Sequence, residues 1–384
     1  MIKPIIAILF YISIFFNSNS MCDENNKELK IGLLAPFSGI YKNLGDSLLL
    51  STQLALNELN NKKIIIIPRD SGSNDKEKLN AAIQEIISSG AKIIIGPPDS
   101  GDFEEIKKYK DTIFISLSNK ESKIENNIIS IGISLESQMK TIEDFIIKQK
   151  KKKTVIMYPK NEYTKFIDER IKSIKLKNYK VFKYNPDPKV LTGEIEKLTN
   201  YSQRKRNLSI RIKMLEDKDD EASKRELLRL EQKYTLGKIN FDSVIIIDFG
   251  SSLKSVLASL VFADVNERDV LFTTVNQWFD ESIFYENSVK SLYYPSINFD
   301  NFKKHNNKYY KTFKLYPNEI TILAYDALGL IYYVWNKNNG INSINDFFLK
   351  EKIKGKIGNF NFNEKKVTQE LKIYKAENKK FKEF

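Results

Sequence analysis

The stretch KIGLLAPFSGIYKNLGDSLLLSTQLALNEL, residues 30–59, decides the fold of this chain. Residues 31–35 form an apolar run with the length of a buried strand, and Pro36 ends it. Further along, Leu50 and Leu54 stand about one helical turn apart on a segment that is otherwise mixed in polarity. The stretch therefore predicts a strand, a turn and a helix, which together are the first unit of an α/β fold.

The same alternation continues outward from this stretch along the chain. Strand–helix alternation predicts parallel sheets with right-handed crossovers. Two such units of about 150 residues each predict two lobes with a cleft between them. Further strands are predicted at residues 64–67, 93–96, 112–116, 128–133, 154–158, 244–249 and 270–274, and helices at 47–59, 76–89, 136–149, 253–263 and 320–335.

The composition excludes several classes of protein. The chain has 384 residues, of which 41% are hydrophobic, so it can bury a full core. One Cys and one His exclude a disulfide framework and a His- or Cys-based metal site, and no cofactor is predicted. The net charge is +13, but basic residues are spread along the chain without an aromatic-interleaved stripe, so nucleic-acid binding is not predicted.

The N-terminus has the pattern of an export signal over residues 1–20. Lys3 gives a basic start, residues 4–16 are mostly apolar, and residues 17–20 are small and polar. The apolar run is shorter than the roughly 20 residues of a membrane span. A cleaved signal peptide is the preferred interpretation, and an uncleaved N-terminal anchor is the alternative.

Cys22 follows this segment and is a candidate for lipid attachment. Lipoprotein signals usually carry Leu and a small residue ahead of the modified Cys, whereas Asn19, Ser20 and Met21 precede it here. The sequence therefore predicts an exported, periplasmic protein, with lipid anchoring through Cys22 as an open alternative.

Residues 201–237 differ from the rest of the second unit. They are dense in Arg, Lys, Glu and Asp, and Leu208, Leu215 and Leu230 recur among them at helical spacing. An acidic break at residues 217–220 predicts a charged helical hairpin inserted in the second lobe. Two interpretations stay open, a solvated insertion and a partner-binding arm.

Candidate ligand-binding residues follow the predicted strands, because open parallel sheets bind ligands beyond the carboxyl ends of their strands. Ser100, at a predicted helix N-terminus, is expected to receive a carboxylate, and Asp248 is expected to attract an ammonium group. The full set predicted to face the cleft is Tyr41, Ser100, Ser118, Asn119, Asp248 and Gln277.

Catalytic patterns are missing from the sequence. It contains neither a Gly-x-Ser-x-Gly elbow nor a Walker loop. His305 stands among Lys and Asn residues and is interpreted as part of a solvated basic segment. The prediction is a non-enzymatic protein.

Residues 31–39, with Tyr41 and the pair Leu44-Gly45, resemble the start of the type I periplasmic binding proteins, the Leu/Ile/Val-binding superfamily. Residues 91–97 resemble its third strand and turn, and residues 324–327 its late helix. The resemblance implies two Rossmann-like lobes with parallel sheets, joined by three crossover segments. The expected boundaries are 28–147 and 295–345 for the first lobe, and 148–294 and 346–384 for the second.

A narrower resemblance concerns residues 114–119, 235–244 and 355–362, which are similar to the LpoA-like penicillin-binding protein activators of this superfamily. That branch implies an activator of a peptidoglycan synthase, with a synthase as partner and a cleft for a small polar ligand. The alternative is the substrate-binding receptor of an amino-acid-type ABC transporter, with a membrane permease as partner.

Overall fold

The computed structural model describes residues 28–120, 124–285, 290–363 and 366–384. The export signal predicted at residues 1–20 and Cys22 lie outside these ranges. Within the described part of the chain, every helix falls short of the length and hydropathy that a bilayer span needs.

Strands and helices alternate through most of the described chain. The strands are β1 Leu29–Ala35, β2 Ile64–Asp70, β3 Ile93–Ile95, β4 Ile113–Ser116, β5 Ile124–Glu125, β6 Ile128–Ser130, β7 Thr154–Pro159, β8 Tyr179–Tyr184, β9 Ser243–Ile246, β10 Leu271–Thr274, β11 Leu292–Ser296, β12 Ile353–Lys354, β13 Asn359–Asn363, β14 Lys366–Glu370, β15 Lys372–Glu377 and β16 Lys380–Glu383. The α-helices are α1 Lys42–Leu59, α2 Lys76–Ser88, α3 Phe103–Ile106, α4 Leu135–Lys148, α5 Thr164–Ile171, α6 Pro188–Leu198, α7 Tyr201–Glu216, α8 Glu221–Glu231, α9 Gly250–Phe262, α10 Phe299–Phe313 and α11 Ile322–Asn338. Short 3₁₀ helices lie at Gly39–Tyr41, Ser100–Asp102, Glu281–Tyr285, Glu319–Thr321 and Ile344–Phe347.

The first lobe is built on a six-stranded sheet with the order β2-β1-β3-β4-β6-β5. Its pairs are parallel except for β5 with β6. The central strands are buried on both faces, as the isoleucine run of β3 illustrates. Such a run of β-branched residues is typical of a parallel strand covered by helices on both sides.

The ends of the helices carry the capping residues that are typical of helix termini. The side chain of Asp75 caps α2 by accepting a hydrogen bond from the N–H of Lys78 at 3.0 Å. Helix α1 ends where Asn60 adopts the left-handed conformation, with φ 47°. Helix α11 packs along α1, and the Ser51 hydroxyl donates to the carbonyl of Thr321 at 2.8 Å, so the late helices return to the first lobe.

The second lobe is built on a seven-stranded sheet with the order β16-β15-β11-β10-β9-β7-β8. Strands β7 to β11 pair in parallel, whereas β15 and β16 join the edge antiparallel. A small antiparallel sheet, β12-β13-β14, lies on the path from α11 back to β15. The two mostly parallel sheets confirm the predicted α/β, two-lobed fold.

Helix α4 belongs to the second lobe, because its apolar side packs against that sheet. Leu135 and Ile142 lie in one buried cluster with Ile156 of β7 and Ile245 of β9. The first crossover between the lobes therefore runs through residues 131–134, one helix earlier than the predicted boundary at 147–148. The other lobe boundaries, at 294–295 and 345–346, stay predictions.

The first crossover is packed tightly at Gly132. A Cβ atom there would lie 2.2 Å from the carbonyl oxygen of Ser118 and 2.6 Å from that of Leu117. Gly132 is therefore required by the close approach of two backbone segments.

Candidate functional site

A pocket of about 270 Å³ lies at the carboxyl ends of the first-lobe strands. Four loops line it, each following one of the parallel strands β1 to β4, because the carboxyl ends of parallel strands meet at one edge of a sheet. The lining residues are Pro36, Tyr41, Leu44, Ser71, Gly72, Ser73, Asn74, Pro98, Asp99, Asp102, Ser118, Asn119, Lys120 and Ile320.

Asp70 is not among the predicted site residues, but it fixes two of these loops. Its carboxylate accepts hydrogen bonds from the N–H of Phe37 at 2.8 Å and of Gly72 at 2.9 Å. Lys78 forms an ion pair with it at 2.6 Å and also donates to the Ser38 hydroxyl at 2.8 Å. Burial opposes ionisation, but these hydrogen bonds outweigh it and lower the pKa of Asp70 to about 2.

Gly45 permits the first loop to lie against α1. A Cβ atom on this residue would stand 2.1 Å from the carbonyl oxygen of Pro36. Gly45 therefore has a steric role, since it lets the helix approach the loop that carries Tyr41 toward the pocket.

The loops after β3 and β4, which both line the pocket, are connected by hydrogen bonds through Ser116. The hydroxyl of Ser116 donates to the carbonyl of Pro97 at 2.9 Å and accepts from the N–H of Ser118 at 3.2 Å. Ser118 is buried and Asn119 is exposed, and both line the pocket. Their role in ligand binding stays a prediction.

One side of the pocket is acidic. Asp99 and Asp102 both line it, and the Lys120 ammonium lies 3.6 Å from the Asp99 carboxylate. Burial, with the negative charges of Asp99 and Glu105, raises the pKa of Asp102 to about 6.

Ser100 is not among the residues that line this pocket. The 3₁₀ helix that begins with Ser100 is capped by Asp99, whose side chain accepts from the N–H of Gly101 at 3.0 Å. The free N–H groups expected to receive a ligand carboxylate are thus partly occupied by a carboxylate of the protein itself.

Asp248 and Gln277 come together at the strand ends of the second lobe, but away from the pocket. The Asp248 carboxylate accepts from the hydroxyls of Tyr184 and Ser252 and from the N–H of Phe249, the last at 2.8 Å. The Gln277 amide donates to the Asp248 carbonyl at 3.0 Å. Both side chains are less than 10% exposed.

These contacts give Asp248 a structural role within its own lobe. Burial and the neighbouring Asp248 charge raise the pKa of Tyr184, so the phenol stays a donor to the carboxylate. The structure brings Tyr41, Ser118 and Asn119 into one pocket, and it does not bring Asp248 or Gln277 into it.

The two lobes touch across the mouth of the cleft. The guanidinium of Arg170, on α5 of the second lobe, donates to the main-chain carbonyl of Lys120 at 3.1 Å. The same guanidinium lies over the ring of Phe166, 4.9 Å from its centre. Lys120 is the residue that also pairs with Asp99, so this contact reaches the acidic side of the pocket.

The hairpin of α7 and α8 is fastened to the second lobe by the buried side chain of Arg204. Its guanidinium donates to the carbonyls of Thr199 and Ala263 and, at 2.9 Å, to the hydroxyl of Thr235. Asp264 lies 4.0 Å away and partly balances the charge. The hairpin is therefore held at its base by charge-assisted hydrogen bonds.

The hairpin also has a core of its own. Leu208 and Leu215 of α7 pack with Leu230 of α8. Arg211 and Glu226 join the helices by a paired hydrogen bond at 3.0 to 3.2 Å. The two helices thus form a firm projection from the lobe.

His305 is buried, and the prediction of a solvated segment is wrong for this residue. It is 5% exposed and packs edge-on against Tyr325. Burial, together with the charge of Lys356, lowers the pKa of His305 to about 4. In the described ranges, His, Cys, Asp and Glu side chains do not gather in groups of three that could hold a metal ion.

A family model described as periplasmic binding protein matches residues 28–174. Comparison with curated proteins gives no match. The matched residues include β1, α1 and the loops that form the pocket.

Solved structures extend the likeness over nearly the whole chain. The branched-chain amino acid transporter substrate-binding protein LivJ from Streptococcus pneumoniae, in complex with isoleucine, is 17% identical with a TM-score of 0.53, over 93% of this chain and 98% of LivJ. A branched-chain amino acid ABC transporter periplasmic ligand-binding protein from Burkholderia xenovorans is 10% identical with a TM-score of 0.64, over 93% and 94% of the two chains.

A regulator is also among the similar solved structures. The C-domain of LpoA from Haemophilus influenzae, a regulator of PBP1A, is 13% identical with a TM-score of 0.61, over 92% of this chain and 99% of that domain. Together, these matches confirm the predicted two-lobed α/β fold. At these identities they show the fold that transport proteins and LpoA share.

Proposed function

We propose that this protein is a non-enzymatic, exported binding protein of the LpoA-like kind. In this proposal it activates a peptidoglycan synthase, which contacts the outer surface of the α7–α8 hairpin. The observation that carries the proposal is the α7–α8 hairpin, a firm projection from the second lobe. The wall of the cleft gives a second, weaker support.

The hairpin has the build of a partner-binding arm. Its base is fixed by the buried Arg204, whereas its outer side exposes apolar groups. Ile210 and Met214, one turn apart on α7, are 42% and 56% exposed, and Leu228 on α8 is 63% exposed. A helical segment whose backbone is already fixed loses little further backbone entropy on binding, which favours a role in recognition.

The cleft is poorly built for an amino acid. Lys120 pairs with Asp99, but among the residues that the structure describes the carboxylate of Asp102 has no such partner and disfavours a ligand carboxylate beside it. Asp248 already accepts hydrogen bonds from neighbours of its own lobe. Neither Ser100, predicted to bind the carboxylate of a ligand, nor Asp248, predicted to bind its ammonium group, lines this pocket.

Reconstituted glycan polymerisation tests the proposal directly. Purified bifunctional penicillin-binding proteins of the source organism are assayed with and without the full-length protein. The rate is expected to rise several-fold, and the pair Ile210→Asp and Met214→Asp is expected to abolish the rise. The pair Val190→Asp and Ile147→Asp, at residues that are 42% and 56% exposed outside the hairpin, is the matched control. Unchanged rates with every synthase would refute the activator role.

The second candidate is the substrate-binding receptor of an amino-acid-type ABC transporter, with a permease as partner. The pocket favours it, because the polar residues Ser73, Ser118 and Asn119 line a volume suited to a small polar ligand. A thermal-shift screen with isoleucine, small carboxylates and peptidoglycan fragments tests this role. A ligand at a hundredfold excess over its Kd stabilises the protein by about 2.7 kcal/mol.

The screen separates the two candidates. A shift with isoleucine that Asn119→Ala removes, and Ser100→Ala leaves, supports a receptor with the pocket described above. A screen without any shift, together with stimulation of a synthase, supports the activator.

A further inference from the structure

Helix α10 presents a basic face to solvent. Its inner side is apolar, and Phe302, His305 and Tyr309 are buried there at helical spacing. At about 100° per residue, six of the exposed residues fall together on the opposite side, within roughly a third of the circumference. These are Lys303, Lys304, Asn307, Tyr310, Lys311 and Lys314, which we name the α10 face.

The charge of the α10 face is largely uncompensated. Residues 299–316 contain five lysines and one aspartate, a net charge of +4 with His305 neutral. One of these lysines, Lys308, pairs with Glu58 at 2.5 Å. Among the residues that the structure describes, the ammonium groups of the four lysines of the face form no ion pair within 4.0 Å.

Two tyrosines give this face an apolar tip. The rings of Tyr310 and Tyr316 are stacked, with centroids 4.8 Å apart and planes inclined by 21°. They are 42% and 76% exposed, and Leu315 between them in sequence order is 57% exposed. Exposed apolar area and ammonium groups without a carboxylate partner therefore lie side by side at this end of the helix.

We infer that the α10 face, with Leu315 and Tyr316 at its tip, docks on an anionic phospholipid surface. Charge complementarity supplies the attraction, since each lysine near an anionic bilayer strengthens binding about fivefold. Tyrosine prefers the headgroup level of a bilayer, where its ring is in an apolar layer and its hydroxyl is in water. A soluble polyanion matches the lysines but offers no layer for Leu315 and the two rings, so the bilayer fits more of the surface.

Co-sedimentation with vesicles tests the inference. The full-length chain is mixed with vesicles of phosphatidylcholine containing about one third phosphatidylglycerol, and with vesicles of phosphatidylcholine alone. Stronger binding to the anionic vesicles is expected, and the gain should fall steeply with added salt. The segment before residue 28 is common to every variant, so only differences between variants and between lipids are used.

A quadruple variant removes the charge of the face: Lys303→Gln, Lys304→Gln, Lys311→Gln and Lys314→Gln. Its binding to the anionic vesicles is expected to fall at least about tenfold. The matched control removes four exposed lysines of the second lobe: Lys172→Gln, Lys177→Gln, Lys180→Gln and Lys189→Gln. Both variants have the same net charge, so equal losses would overturn the inference.

A second variant tests the apolar tip. Leu315→Ser with Tyr316→Ser leaves every charge in place and should weaken vesicle binding while leaving binding to soluble polyglutamate unchanged. Binding to polyglutamate without preference for anionic vesicles would identify an acidic polymer as the partner and overturn the membrane assignment. Equal binding to neutral and anionic vesicles would overturn it as well.

Discussion

The side-chain amide of Gln369 donates to the carbonyl oxygen of Gly132 at 2.9 Å, which joins the third connection between the lobes to the first. The same nitrogen donates to the carbonyl of Ile131 at 3.0 Å, and the amide oxygen accepts from the Ser137 hydroxyl at 2.9 Å. Gln369 is 4% exposed. Because every polar atom of this amide is used inside the protein, two crossover segments are held as one unit.

Replacing Gln369 by Leu tests this junction. The substitution leaves the carbonyls of Ile131 and Gly132 buried without their donor, which should lower the free energy of unfolding by about 1–3 kcal/mol. Urea denaturation followed by circular dichroism measures the change. Gln53→Leu, on the exposed side of α1, is the control and should change stability by less than about 0.5 kcal/mol. Equal stability of the two variants would contradict the role of Gln369.

Two helical glycines should respond to alanine in opposite ways. Gly45→Ala places a Cβ atom 2.1 Å from the Pro36 carbonyl oxygen, so α1 must shift and we expect severe destabilisation. Gly193→Ala on α6 meets nothing within 4 Å and should stabilise the protein by up to about 1 kcal/mol. Melting temperatures measured side by side check both signs. A tolerated Gly45→Ala would show that the loop and helix are not in contact.

Arg204→Leu should release the base of the α7–α8 hairpin. The change removes the donors to Thr199, Thr235 and Ala263 and leaves buried carbonyls unsatisfied, a loss of about 1–3 kcal/mol. Limited proteolysis at residues 217–220 and amide hydrogen exchange in α7 and α8 should both accelerate. Arg206→Leu, on the exposed side of α7, should leave both readouts as in the wild type. Equal protection in the two variants would exclude Arg204 as the anchor.

Asp102→Asn should stabilise the protein at neutral pH and not at acid pH. Burial and the neighbouring carboxylates raise the pKa of Asp102 from 3.8 to about 6, so the folded state disfavours its ionisation. Below about pH 4 the group is protonated in both states and costs nothing, and the cost grows between pH 4 and 6 as the unfolded chain ionises first. The gain at pH 7.5 is expected to be about 1 kcal/mol, reduced by solvent screening because the group is partly exposed.

Thermal unfolding of the wild type and of Asp102→Asn across pH 4 to 8 measures this difference. Asp111→Asn, on an exposed turn of the same lobe, controls for the loss of one carboxylate. A constant difference between wild type and Asp102→Asn at all pH values would contradict the explanation.

Strands and helices could be predicted because their signals are local. The apolar runs of β1, β3 and β4 predict buried parallel strands, and the spacing of the apolar residues in α1 predicts a helix with one buried side. The return of β15 and β16 to the second sheet left no such signal, because short strands of alternating Lys and apolar residues at a sheet edge resemble exposed chain.

The candidate site was predictable in the first lobe and only partly in the second. Ser118 and Asn119 line the pocket because strand ends share one edge, and Asp70 could have been found in the same way, since it directly ends β2. The carboxylate of Asp248 accepts hydrogen bonds from Tyr184 and Ser252. Tyr184 is distant in sequence and Ser252 lies on the following helix, so only the tertiary fold brings the three side chains together.

The burial of His305 could have been predicted from the sequence. Its neighbours in sequence are Lys and Asn, which suggested solvent, but Phe302, His305 and Tyr309 are spaced by three and four residues. That spacing marks the buried side of a helix, and the lysines belong to the opposite side.

The contact between Arg170 and the carbonyl of Lys120 places unequal demands on its two residues. One partner is a side chain and the other is main chain, so any residue at position 120 still offers the acceptor, whereas only a long cationic donor at position 170 supplies the bond. Mutational drift at position 120 therefore alters the charge at the mouth of the cleft while the bridge between the lobes persists. A substitution of Arg170 by a short or uncharged residue removes this bridge.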